Sequence, residues 1–185
     1  MSVQVLVPAA MEPVNLAEAK VFLQLDSSHD DALVTDLIRA ATEAVEQTTG
    51  RALITRTLRQ TLKNWPDKGV IALAIRPLIS ISQIQQTNAA GVSVLVDPGD
   101  YYVDVNRARV IALPAFPRPS FVHPAEELQI DFVAGYGVDA SFVPASFRMS
   151  VLLIVRDLYE HRGETGGALP LRAQALLAPF TDVRL

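Results

Sequence analysis

Glu12-Pro13-Val14-Asn15-Leu16-Ala17-Glu18-Ala19-Lys20, followed by Asp30-Asp31-Ala32-Leu33 and then Thr49-Gly50-Arg51-Ala52-Leu53-Ile54-Thr55, reads as two capped helices running into a strand. The Asn15 side chain is placed to cap the first helix. Glu18, three residues on, is placed to reach back to the free amide, and Val14 to staple the entry. Leu16, Ala19 and Leu23 continue at helical spacing. The acidic pair Asp30 and Asp31 falls in the first turn of a second helix, where carboxylates meet the positive end of the helix dipole. Gly50 supplies the stop, because glycine enters the left-handed C′ conformation without a steric penalty.

At about 100° per residue, Leu33, Val34, Leu37, Ile38, Ala41, Ala44 and Val45 make one broad stripe, with Asp36, Arg39, Glu43 and Glu46 opposite. Such a helix either covers its own core or is shared with a neighbouring subunit. Beyond Gly50 the period becomes strand-like. Ile54, Leu58 and Leu62 stand among Thr55, Thr57, Arg59 and Thr61, and β-branched threonines suit a pleated, half-exposed surface. Further strands are expected at 70–75, 80–87, 92–96, 101–105, 109–112 and 128–133. Turn signals at 64–67, 88–91 and 97–100 separate them. This spacing points to an antiparallel meander or small sandwich.

A third helix is expected over 144–162. Phe147, Val151, Ile154, Val155 and Leu158 form its core stripe, while Met149 and Leu153 point to nearly the opposite side. A helix apolar on two faces is buried in its own chain or pinned between subunits, and here the subunit contact is favoured. Met149, Leu153, Leu33 and Leu37 are therefore the subunit-interface candidates. The fold class is α+β: a helical core with an inserted antiparallel β module and a short C-terminal tail. A single domain is expected, with N-terminal helices over 12–50, the β module over 52–137, the long helix over 144–162 and a docking segment over 168–185.

Two segments look made for partners. The stretch 113–124 interleaves Pro114, Pro117, Pro119 and Pro124 with Phe116, Arg118, Phe121 and His123, which is too proline-rich for a central strand. Phe116, Arg118 and Phe121 are contact candidates on this loop, or they lie flat against the sheet. After the glycine-rich break at 163–167, Leu171, Ala175, Leu176, Leu177 and Phe180 make a short apolar tail. A helix this short is marginal alone and needs a surface to dock on, either its own domain or another protein.

Composition narrows the function. The chain has 185 residues, half of them hydrophobic, enough for a sizeable core. A net charge of -4 argues against wrapping nucleic acid by phosphate neutralisation. The absence of cysteine excludes disulfides and thiolate metal sites. Residues 1–11 lack the basic start of a signal peptide, and the aliphatic run 151–155 is too short to span a bilayer, so a soluble protein with no membrane partner is expected.

The histidines His29, His123 and His161 are scattered without metal spacing. Asp26, His29, Asp30 and Asp31 lack a calcium-loop pattern, and no phosphate loop, dinucleotide fingerprint or nucleophile elbow is present. The chain reads as a non-enzyme with no cofactor.

These motifs, with Asp97-Pro98-Gly99-Asp100-Tyr101, Asp131-Phe132-Val133-Ala134-Gly135-Tyr136-Gly137, Pro144-Ala145 and Leu158-Tyr159-Glu160-His161-Arg162, resemble in order and spacing the gp6-like head-tail connector (adaptor) family of tailed phages. The likeness is to its longer branch, which carries a β insert and includes gene transfer agent adaptors. The resemblance implies a virion structural protein assembled in the host cytoplasm: a homo-oligomeric ring, typically of twelve subunits, at the head-tail junction. Its partners would be the portal protein, a tail stopper or tail-terminator protein, and DNA passing through the channel without sequence-specific binding. The family's C-terminal region commonly engages the portal, making Leu171, Leu176, Leu177 and Phe180 the portal-contact candidates. Overall acidity raises the expectation of a negative lumen that lets DNA slide. The competing reading is a β-sandwich ligand- or partner-binding module without ring assembly.

Overall fold

The Asn15 cap forms as the residues dictate. Its Oδ1 accepts from the Glu18 amide at 2.9 Å and the Glu18 carboxylate accepts from the Asn15 amide at 3.0 Å, which starts helix α1 (Leu16–Leu23). Helix α2 (Asp31–Thr49) ends at Gly50, whose φ of 64° is the left-handed cap. Helices α3 (Ala145–Glu160) and α4 (Leu171–Leu177) complete the helical set. The computed structural model describes residues 1–88, 90–114, 116, 126–161 and 168–181.

The strands are β1 (Ser2–Val7), β2 (Arg56–Leu62), β3 (Val70–Ala72), β4 (Leu78–Thr87), β5 (Ser93–Leu95), β6 (Tyr101–Asp104), β7 (Arg109–Ala112) and β8 (Glu127–Ala134). They form a five-stranded sheet in the order β1-β2-β8-β4-β5 and a three-stranded sheet in the order β3-β7-β6. Every strand-to-strand pairing in them is antiparallel. The large sheet is not a meander. Its central strand is the last in sequence, so both flanking pairings close long loops.

Where the sequence suggests one domain with an insert, the chain packs as two compact units: a sheet unit of Met1–Pro8 and Thr55–Gly135, and a helical unit of Ala9–Ile54 and Tyr136–Leu185. In the helical unit, Val34, Ile38, Ala41 and Val45 of α2 pack with Phe147, Val151, Ile154 and Val155 of α3 in one buried cluster. The spacings of three and four keep each set on one helix face. Each buried Val, Ile or Phe in this cluster contributes on the order of 1.5–3 kcal/mol, and Ala41 less.

Leu158 departs from the expected core stripe. It is 39% exposed, while the neighbouring Tyr159 packs on that cluster. In the sheet unit, Leu128, Ile130, Phe132 and Ala134 alternate along β8 and are all buried, the period of two that a half-covered strand requires. β1 is an element that residues 1–11 did not announce.

Candidate assembly surfaces

Among the described residues no group of three or more metal-binding side chains comes together, and no helix is long and apolar enough to cross a membrane. On the helical unit the C-terminal segment folds back on its own core. Ala173 and Leu177 of α4, one turn apart, are both buried there. Phe180 follows with its ring 4.5 Å from that of Phe147, and the Arg51 guanidinium lies 5.5 Å from the Phe180 ring centre. Arg51 also donates to the Tyr136 hydroxyl at 3.3 Å. Leu171, on the far side of α4, is 83% exposed.

The acidic start of α2 does more than meet the helix dipole. Asp30 accepts a hydrogen bond from the Tyr159 hydroxyl near the end of α3 at 2.6 Å, and Asp31 pairs with Lys20 of α1 at 2.6 Å. Glu18 likewise pairs with Arg148 of α3. Three helices are thus tied by ion pairs and hydrogen bonds at the rim of their apolar cluster.

The sheet unit holds a polar triad on the face of β8 opposite its apolar residues. Register places Arg59 of β2 and Gln83 of β4 on either side of Asp131. The Arg59 guanidinium donates to both Asp131 oxygens at 2.6 and 2.7 Å, and the Gln83 amide donates at 2.8 Å. Hydrogen bonding from Arg59 holds the Asp131 carboxyl below its ordinary value against the opposing effect of burial, and Gln83 acts in the same direction. The same pairing raises the Arg59 pKa. Gln60, fully buried, accepts from the Ala74 amide and donates to the Ala72 carbonyl, fixing the backbone at and just after β3.

These arrangements position backbone and side chains. Residues 13–93 match the phage gp6-like head-tail connector family. The connector match spans α1 and α2 and runs through β2, β3 and β4 to the start of β5. Three solved structures of gene transfer agent particles resemble the whole chain. The virion of the native particle shares 28% identity at a TM-score of 0.84, with 100% of this chain and 97% of that one covered. The neck of the empty particle, in sixfold symmetry, shares 29% at 0.84 over the same extents. The neck of the native particle, in twelvefold symmetry, shares 28% at 0.83, again over 100% and 97%. No curated protein matches by sequence.

On this fold the sequence candidates separate. Met149 is exposed, and Leu33, Leu37 and Leu153 are half-buried, with Leu37 and Leu153 packed on the helical core. Leu171 is open to partners and Leu176 half-buried, whereas Leu177 and Phe180 hold α4 and its extension to the core. Phe116 stands edge-on to the buried Trp65, ring centres 5.4 Å apart, so it packs on its own unit. Arg118 and Phe121 lie outside the described residues.

Sequence reading missed two features. One is β1, signalled only by the alternation Val3, Val5, Val7. The other is the Arg59–Asp131–Gln83 triad, whose members stand up to 72 residues apart and meet only once register is known.

Proposed function

We propose that this chain is the head-tail connector (adaptor) of a gene transfer agent or related phage-like particle. It works as a structural ring subunit and carries no catalytic role. The observation that carries the reading is the likeness of the entire chain, both units included, to chains of gene transfer agent particles, two of them solved as necks, at TM-scores of 0.83 to 0.84. In this reading twelve copies close a ring beneath the portal protein, extend the DNA channel, and offer the opposite rim to a tail stopper or terminator.

The surfaces support those roles. Leu171 and Leu176 on α4 are the portal-facing candidates, held in place by Leu177 and Phe180 behind them. Met149, exposed on α3, is an interface candidate on the helical unit. A stand-alone β-sandwich binding module leaves the neck likeness of the helical unit unaccounted for and is not adopted.

The test is genetic. Removing the chain from a producing strain should leave DNA-filled heads without tails, and supplying it in trans should restore tailed particles. Tailed, infective particles formed without it would end the proposal.

A further inference from the structure

The two edges of the five-stranded sheet form a matched pair. At one end, β1 is exposed at every residue, including Val3, Val5, Leu6 and Val7. Residues 1–11 contain no charged side chain. At the other end, β5 is exposed at every residue, with Val94 and Leu95 both above 60% exposed, and residues 90–96 are also uncharged. Among the described strands, each pairs on one side only. An apolar edge strand without lysine, proline or a covering element is a template for another strand, and proteins that stay soluble cover or charge such edges.

Strand direction selects the partner. Each neighbour in the order β1-β2-β8-β4-β5 is antiparallel, so β1, β8 and β5 run one way and β2 and β4 the other. The two free edges therefore point in the same direction. A closed ring needs a heterologous contact, in which one patch of each copy meets a different patch of the next. Successive copies in a twelvefold ring are turned by only about 30°, which keeps strand directions nearly aligned. A two-fold dimer, in contrast, would bring β1 against β1.

We infer that the occupant of the β1 edge is a second copy of this chain, whose β5 edge lies beside it in parallel, so that the sheets of adjacent subunits abut around the ring. The inference rests on the ring reading above and adds which strands close it. Backbone groups left open on β1 and the apolar side chains of both strands are the recognition elements.

The chain has no cysteine, so introduced thiols report on this contact alone. Full-length Val5→Cys, Val94→Cys and the double variant are assembled with the cognate portal protein, checked for ring formation by mass photometry, and treated with a short bismaleimide. The double variant should give a ladder of cross-linked multimers, and an equal mixture of the two single variants should stop at dimers. Each single variant alone should give none. Val5→Lys should lower ring yield at least tenfold while circular dichroism stays unchanged.

Rings that form normally but give no ladder, with Val5→Lys assembling as wild type, overturn the edge contact and leave the connector reading intact. Dimers from Val5→Cys alone overturn it in favour of a two-fold β1 contact. Absence of any ring, with or without portal, overturns both readings.

Discussion

The Arg59 guanidinium grips both oxygens of Asp131 across the β2–β8 pairing, at 2.6 and 2.7 Å, and the two residues are direct register partners. Asp131 is 6% exposed and the Arg59 side chain 28%, so removing the carboxylate charge leaves a partly buried guanidinium without its bidentate partner. Asp131→Asn should cost about 3 kcal/mol at neutral pH, at the lower end for a broken buried pair because Arg59 keeps some solvent contact.

The pH dependence follows from the depressed Asp131 pKa. A carboxyl whose folded value lies below its unfolded one stabilises fully above the unfolded value, near 3.9, and loses that contribution as pH falls through the folded value. The stability gap between wild type and Asp131→Asn in urea should therefore hold from pH 7 to about 5 and shrink below about 4. A gap that widens in acid would contradict the assignment.

Leu171 and Leu177 share α4 but face opposite environments, 83% and 1% exposed. Leu177→Ala should destabilise by about 2–5 kcal/mol through the cavity it leaves. Leu171→Ala should change stability by less than about 0.5 kcal/mol and instead weaken capture by the portal protein. Thermal unfolding and a pull-down on the same two variants separate the roles.

Removing the α1 cap with Asn15→Ala should cost about 1 kcal/mol. Glu18→Ala should cost more, because Glu18 both closes the capping box and pairs with Arg148. The addition from that pair is small, within about 1 kcal/mol, since both side chains are partly solvated. Equal losses for the two variants, measured by chemical denaturation, would mean the Arg148 pair contributes nothing.

Gly50→Ala places a Cβ in the left-handed conformation that ends α2. The expected loss is about 1–2 kcal/mol. An unchanged melting temperature would show that the cap relaxes without strain.

Local signals were legible where the physics is local. The Asn15–Glu18 box, the Gly50 stop and the α2 stripe depend on residues within a turn or two, and each appears as read. The strands were legible from alternation and turns, but their order was not. β8 sits centrally because its two edges pair with β2 and β4, strands far earlier in the chain that no local window links to it.

β1 was invisible for a related reason. Ser2 pairs with Thr61, a partner that no local window contains, and Pro8 cuts the alternation short. Leu158 follows the helical period of its stripe yet stands exposed, because period says which face a residue takes and not how far the neighbouring elements cover that face. The sequence leaves open whether Phe180 docks on its own domain or on another protein, and in the structure Phe147 and Arg51 stand against it.

The most direct measurement is mass photometry of the full-length chain with its portal protein, since the central claim is a ring at the neck. The account predicts addition of twelve copies of the 20.1 kDa chain to the portal ring, about 241 kDa. A chain that stays monomeric and does not bind the portal contradicts it.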